Sequence, residues 1–165
     1  MKLFNKKEEK VLIIKNDRKV SQEDLVGKKY EYYKPIFEVF EKEGKVKSFN
    51  LQALLFAPFW YVYRKMTYRG AIIVGIQACL ATLAYSLKTP LWISVYLLSF
   101  LIYLRTGFYG NYDYYKRIVE LKEDANHIDD KYKDRFLKDK SGTDLYMTIC
   151  WIVGTILIFA MSLFL

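Results

Sequence analysis

The chain has 165 residues, 53% apolar and 27% charged, with 29 aromatic side chains, a net charge of +8 and a mean hydropathy of -0.01. That much aromatic surface excludes a disordered chain. The near-zero average hides separate blocks, because no Asp, Glu, Lys, Arg or His lies between Arg69 and Lys88, between Lys88 and Arg105, or after Asp144. All 18 acidic residues fall within 1–48 or 113–144, so the pattern excludes a single water-soluble core and indicates an all-α membrane protein with polar parts attached.

The charge is divided in the same way. Residues 1–48 hold 13 basic and 9 acidic side chains and residues 109–145 hold 8 and 9, which leaves Arg64, Lys65, Arg69, Lys88 and Arg105 at the edges of apolar runs. Basic residues at such edges follow the positive-inside rule and the pull of anionic headgroups. They form no continuous basic surface, so nucleic acid is not an expected partner.

Residues 1–29 read as a polar N-terminal cytoplasmic segment. Its one apolar run, 11–14, is too short for a signal-peptide core, so no cleavage is expected, and Ser21-Gln22-Glu23-Asp24 has the form of a helix start. From residue 30 the pattern is helical: Tyr33, Ile36, Phe37 and Phe40 form one apolar face, charges fill the other, and Gly44 is placed to end an amphipathic cytoplasmic helix over 30–43. Its aromatic stripe is expected to pack on the protein itself.

Residues 49–63 are apolar but short of the roughly 20 needed to span, and Pro58 interrupts them. Lys45 and Lys47 precede this stretch, and Arg64, Lys65 and Arg69 follow it. Both ends therefore belong on the cytoplasmic side, and the segment reads as a Pro-broken interfacial or re-entrant helix. Residues 70–87 are long enough to span. Ala71, Gly75 and Cys79 form a small-residue stripe suited to close helix packing, with Gln77 beside it able to hydrogen-bond across the contact.

A turn at Lys88 leads to Thr89 as N-cap and Pro90 as first residue of a second span, 90–108. The glycine-rich run Gly107-Phe108-Tyr109-Gly110-Asn111 then reads as an exit that bends the chain, followed by a cytoplasmic helix and loop over 109–144. Ser141, Thr143 and Asp144 supply capping groups for a last span, 145–165. The expected architecture is thus three transmembrane helices, the broken interfacial helix and amphipathic cytoplasmic helices, with the family-like membrane domain over 30–145. The expected location is the inner membrane, with the N-terminus cytoplasmic and the C-terminus on the outer side. Cys79 and Cys150 both lie in apolar spans and are expected as reduced, buried thiols rather than a disulfide or a metal pair.

No catalytic constellation is visible, so no enzyme activity and no cofactor or metal is expected. His127 is the sole histidine, and its stretch Asp124 to Asp130 reads as a solvated loop. Spans 70–87 and 145–165 hold no ionisable group for ion coupling, and Arg105 reads as an interface anchor. The distinctive local feature is the alternation of aromatic and basic side chains at the cytoplasmic edge. Trp60, Tyr63, Arg64, Lys65, Tyr68, Arg69, Arg105, Lys116 and Arg117 are the candidates for a belt that meets anionic lipid headgroups.

The run Tyr33, Phe37, Phe40, Ser48-Phe49-Asn50, Ala53, Phe56, Pro58, Trp60, Tyr63-Arg64-Lys65-Met66 and Tyr68, with the later Gly107-x-x-Gly110-Asn111, Tyr114 and Tyr115, resembles the family known as domain of unknown function 2628. The resemblance covers about 30–121, and Leu51 departs from it where the family commonly has tryptophan. It implies a small bacterial inner-membrane protein with a few helical spans, in which 49–66 and 107–111 form one structural unit. It supplies no catalytic residue. The expected role is a non-enzymatic scaffold in envelope or lipid homeostasis, with a protein partner or a second copy of itself. The alternative is an oligomeric transport or channel subunit assembled through Ala71, Gly75 and Cys79.

Overall fold

A computed structural model describes residues 19–162; the short run 11–14 and most of the polar N-terminal segment lie outside them. Among the described residues the chain is all helix, with no strand. The elements are α1 (Gln22–Val26), a 3-10 turn (Gly27–Lys29), α2 (Tyr30–Glu43), α3 (Leu51–Leu55), α4 (Ala57–Tyr63), α5 (Thr67–Leu87), α6 (Pro90–Ser99), α7 (Leu101–Asn126), α8 (Asp130–Lys140) and α9 (Leu145–Ser162).

Local chemistry sets most boundaries. Ser21 caps α1 by a reciprocal capping box with Asp24, whose amide donates to the Ser21 hydroxyl while the Ser21 amide donates to the Asp24 carboxylate. Gly44 ends α2 in the left-handed region at φ 62°. The proline-broken segment becomes two short helices hinged at Phe56, because Pro58 sits in the first turn of α4, where its missing N–H leaves no helical bond unmade. Asp144 caps α9 by accepting from the Met147 amide at 2.8 Å.

Two helices are long and apolar enough to cross a membrane, α5 and the rod Pro90–Asn126; α8 and α9, bent by 42° at the break between them, make a third if the pair is one span. The first begins at Thr67, three residues before the expected start. The rod corrects a larger expectation. Residues 107–111 do not bend the chain; α7 runs through them unbroken. Gly107 and Gly110 serve packing instead, since a β-carbon on Gly107 would stand 2.9 Å from Leu54 Cβ, and one on Gly110 would stand 3.3 Å from both Ala53 Cβ and Trp60 Cζ3. At about 1.5 Å rise per residue the rod is about 55 Å long, against an apolar layer of about 30 Å.

The core lies at the polar end of the molecule. Tyr33, Phe37 and Phe40 of α2 pack on Tyr112, Tyr114 and Tyr115 of α7, with ring centroids 5.0 to 6.0 Å apart. Leu25 and Val26 of α1, and Ile118, Leu121 and Ala125 of α7, complete this core. The expected packing of the aromatic stripe on its own protein is therefore met by the lower half of α7.

The apolar helices are less covered. The inward face of α5 is Gly70, Ile73, Val74 and Gln77. Gly75 and Cys79 are exposed, and a β-carbon on Gly75 would meet nothing within 4 Å. Of the stripe Ala71, Gly75, Cys79, Ala71 is thus partly covered and the other two are left open. Cys79 and Cys150 are free thiols, and both are exposed rather than buried, because each lies on an outward face of its helix.

Candidate functional site

The candidate belt residues are divided between two sides of the α4 to α5 turn. Lys65 takes φ 56°, and this left-handed turn sends the chain from α4 into α5. Its Nζ donates to the carbonyl oxygens of Lys138 and Asp139 at 3.3 and 3.1 Å, which satisfies the C-terminal end of α8. Lys65, Thr67, Tyr68, Arg69, Arg117 and Glu120 line a cavity of about 290 Å³, so four of the nine belt candidates meet there. Tyr68 is the most exposed of them. Arg117 pairs with Glu120 at 3.5 Å, and Lys116 lies over the Tyr112 ring at 4.9 Å.

Arg69 and Arg105 converge on a residue that sequence reading passes over. Asp113 is buried in α7, where its carboxylate accepts from Arg105 Nη1 at 3.0 Å and the Tyr61 hydroxyl at 2.6 Å and forms an ion pair with Arg69 Nη1 at 2.8 Å. One carboxylate therefore joins α4, α5 and two turns of α7. Burial opposes its charge, but the Tyr61 hydrogen bond and the two guanidiniums outweigh burial and hold the carboxyl below its ordinary value. Arg105 is half exposed and acts as a partner of Asp113 as well as an edge residue. The signal was present in the sequence: Asp113 is the first acid after the long uncharged stretches, eight residues beyond Arg105.

Trp60 and Arg64 depart from the belt expectation. Trp60 is buried against Gly110, Tyr61 and Tyr114. Arg64 is 4% exposed, with its Cζ 4.7 Å from the ring centroid of Tyr33 and 5.1 Å from that of Tyr114. The cause is the α4 to α5 turn, which directs Arg64 into the α2 to α7 aromatic core. Tyr63 is half-buried, with its ring 5.5 Å from the same guanidinium. Burial pushes the Tyr33 hydroxyl up to about 12, more than Arg64 beside it pulls it down.

The two ends of the sequence motif are joined by a polar clasp. Asn50 Nδ2 donates to Asn111 Oδ1 at 2.8 Å, Asn111 Nδ2 donates to Ser48 Oγ at 3.0 Å, and the Asn50 amide donates to the Gly107 carbonyl at 2.8 Å. Asn50 Oδ1 also caps α3 by accepting from the Ala53 amide. Each glycine and asparagine of Gly107-x-x-Gly110-Asn111 thus has a partner in α3, α4 or the segment just before α3. The Gln77 side chain does not bond across the small-residue stripe; it lies on the inward face of α5 and accepts from the Tyr103 hydroxyl at 3.4 Å. His127 is exposed at the end of α7, its Nδ1 2.8 Å from the Glu123 carbonyl oxygen. Among the described residues no three His, Cys, Asp or Glu side chains are grouped as metal ligands.

Fold and site define an all-helical protein with two or three helices able to cross a membrane and a packed polar end beneath them. A family model described as protein of unknown function, DUF2628, matches residues 23–119, and the chain belongs to that family. No curated protein and no solved structure matches the chain.

Proposed function

We propose that this is a non-enzymatic multi-pass protein of the bacterial inner membrane whose cytoplasmic helices form a docking platform in envelope or lipid homeostasis. The N-terminus is cytoplasmic, residues 67–87, 90–108 and 145–165 cross, and the C-terminus reaches the outer side. The observation that carries this reading is the contrast between the two ends of the molecule. The outward faces of α5, α6 and α9 leave large apolar residues uncovered, among them Leu91 at 67%, Leu97 at 62% and Ile156 at 63%, whereas α2 and the lower part of α7 bury theirs. Apolar surface on that scale calls for lipid. The rigid rod through residues 107–111 supports a platform held at a constant distance from the membrane.

Photocrosslinkers placed along exposed α8, at Lys131 and Arg135, test the platform in native membranes. A discrete crosslinked partner supports it; absence of any partner, together with unchanged growth under envelope stress when residues 127–140 are replaced by a neutral linker, counts against it. The uncovered Gly75 face supports a second reading, an oligomeric transport or channel subunit. That reading requires assemblies in native membranes that Gly75→Leu disrupts.

A further inference from the structure

Arg64 is a buried cation with no acidic partner among the described residues. Only Nη2 has a hydrogen-bond partner, the Tyr33 hydroxyl at 2.9 Å, while Nε and Nη1 have none. The Tyr33, Tyr63 and Tyr114 rings offset part of the lost hydration, but a ring face does not take the place of an acceptor in the guanidinium plane. Buried charges are ordinarily paired, so this one is suited to an anion that the chain itself does not supply.

A cavity of about 310 Å³ opens at Arg64. Lys29, Tyr32, Asn50 and Gln52 also line it, and no carboxylate does. With the Asn50 amide engaged in the clasp, the two cations, the Tyr32 phenol and the Gln52 amide are the donor set that a phosphate takes. The other basic cavity differs in this respect, since Lys65, Arg69 and Arg117 there are already engaged by carbonyls or carboxylates.

A second cavity, of about 270 Å³, shares Gln52 with the first. Its other walls are Phe56, Phe59, Trp60, Tyr63, Thr148 and Ile152, and Tyr63 is the residue whose ring also faces Arg64. A basic cavity and an apolar one therefore share Gln52, and Tyr63 of the apolar one faces the Arg64 guanidinium of the other. Free phosphate has no use for the apolar half, and a zwitterionic lipid gains little from the basic half.

We propose that the two cavities together hold one phosphate-bearing anionic lipid, its headgroup at Arg64 and Lys29 and an acyl chain against Phe56, Phe59 and Ile152. This rests on the reading of the chain as a membrane protein, because the lipid enters from the bilayer.

The test uses the full chain in nanodiscs of mixed phosphatidylcholine and phosphatidylglycerol, with the retained lipid counted by native mass spectrometry. The wild type is expected to keep phosphatidylglycerol about tenfold in preference, as one or two charge-assisted hydrogen bonds produce. Arg64→Gln and the exposed Lys29→Gln are each expected to remove most of that preference, and Lys29→Gln does so without disturbing the core. Ile152→Trp, which fills the apolar cavity, is expected to lower retention of the anionic lipid as well. Equal retention of both lipids by the wild type overturns the proposal, as does an unchanged preference in Lys29→Gln. Displacement by inorganic phosphate with no effect of Ile152→Trp identifies a free-phosphate site and also overturns it. A chain that the discs do not hold refutes the membrane reading, whereas a chain held without preference refutes the lipid site alone.

Discussion

Gly70 of α5 and Pro58 of α4 meet so closely that a β-carbon on Gly70 would stand 2.5 Å from the Pro58 carbonyl oxygen and 2.7 Å from Val62 Cγ2. That approach lays the first turn of α5 on α4, and the residue before it, Arg69, thereby reaches Asp113. Backbone cannot yield to an added methyl as a flexible side chain can. Gly70→Ala is expected to destabilise the protein by about 1 to 3 kcal/mol in detergent. Gly75→Ala, in open space on the same helix, should be neutral or stabilising by up to about 1 kcal/mol. Thermal unfolding of the two variants side by side checks this, and equal responses would refute the packing argument.

Asp113 gives a prediction at low pH. Its carboxyl is held below the ordinary value in the folded chain, so its contribution is complete above the unfolded value of 3.8 and is lost as pH falls through the folded one. Asp113→Asn should lower stability at neutral pH by about 1 to 3 kcal/mol, discounted from a fully buried pair because both arginines are partly exposed. It should also flatten the acid side of the stability curve, which unfolding at stepped pH measures. A wild-type slope retained in the variant would assign the acid response to other carboxylates.

Tyr33 gives the opposite sign at high pH. With its folded value raised to about 12 against 10.0 for an ordinary tyrosine, its contribution is present below pH 10 and is lost as pH rises from there toward 12. Difference absorbance of phenolate in wild type and Tyr33→Phe should show this hydroxyl ionising later than the exposed tyrosines. Tyr33→Phe also removes the one acceptor of Arg64 and should cost about 1 to 3 kcal/mol.

The clasp predicts a stability loss at a position with no charge. Asn111→Ala leaves the Asn50 amide and the Ser48 hydroxyl without their partner in a buried site, with an expected loss of about 2 to 3 kcal/mol. Asn50→Ala should resemble it, and the double variant should cost less than the sum of the two, since both break one contact. Denaturant titration of the three variants decides the point.

Cysteine labelling tests the topology. In intact cells an impermeant maleimide should label Lys88→Cys, and should label Tyr132→Cys only after the membrane is opened. Cys79 and Cys150 sit on outward apolar faces, and both should stay unlabelled in membranes yet react in unfolding detergent. Labelling of position 132 from outside would reverse the orientation.

Several parts of the fold were legible because they rest on local chemistry. The Ser21 capping box, the left-handed stop at Gly44, the break in residues 49–63 and the Asp144 cap each depend on residues within about one turn of one another. Residues 107–111 misled because a glycine pair in a sequence signals a bend unless another element presses on it, and Leu54, Ala53 and Trp60 are more than forty residues away. Arg64 and Arg69 have the same character in the sequence, yet one enters an aromatic core and the other reaches a carboxylate. Asp113 attracted no notice because its partners come from three places in the chain.

The order of apolar and polar blocks, set by burial and by the cost of charge in lipid, thus determined the helical class, the presence of long apolar helices and several helix ends from the sequence alone. Only the tertiary structure decided which basic side chains stay at the surface, which carboxylate they share and which small residues serve contact rather than flexibility. Those outcomes depend on distances between segments far apart in the chain, and a close approach or a buried charge acquires its energy from the neighbour across the gap.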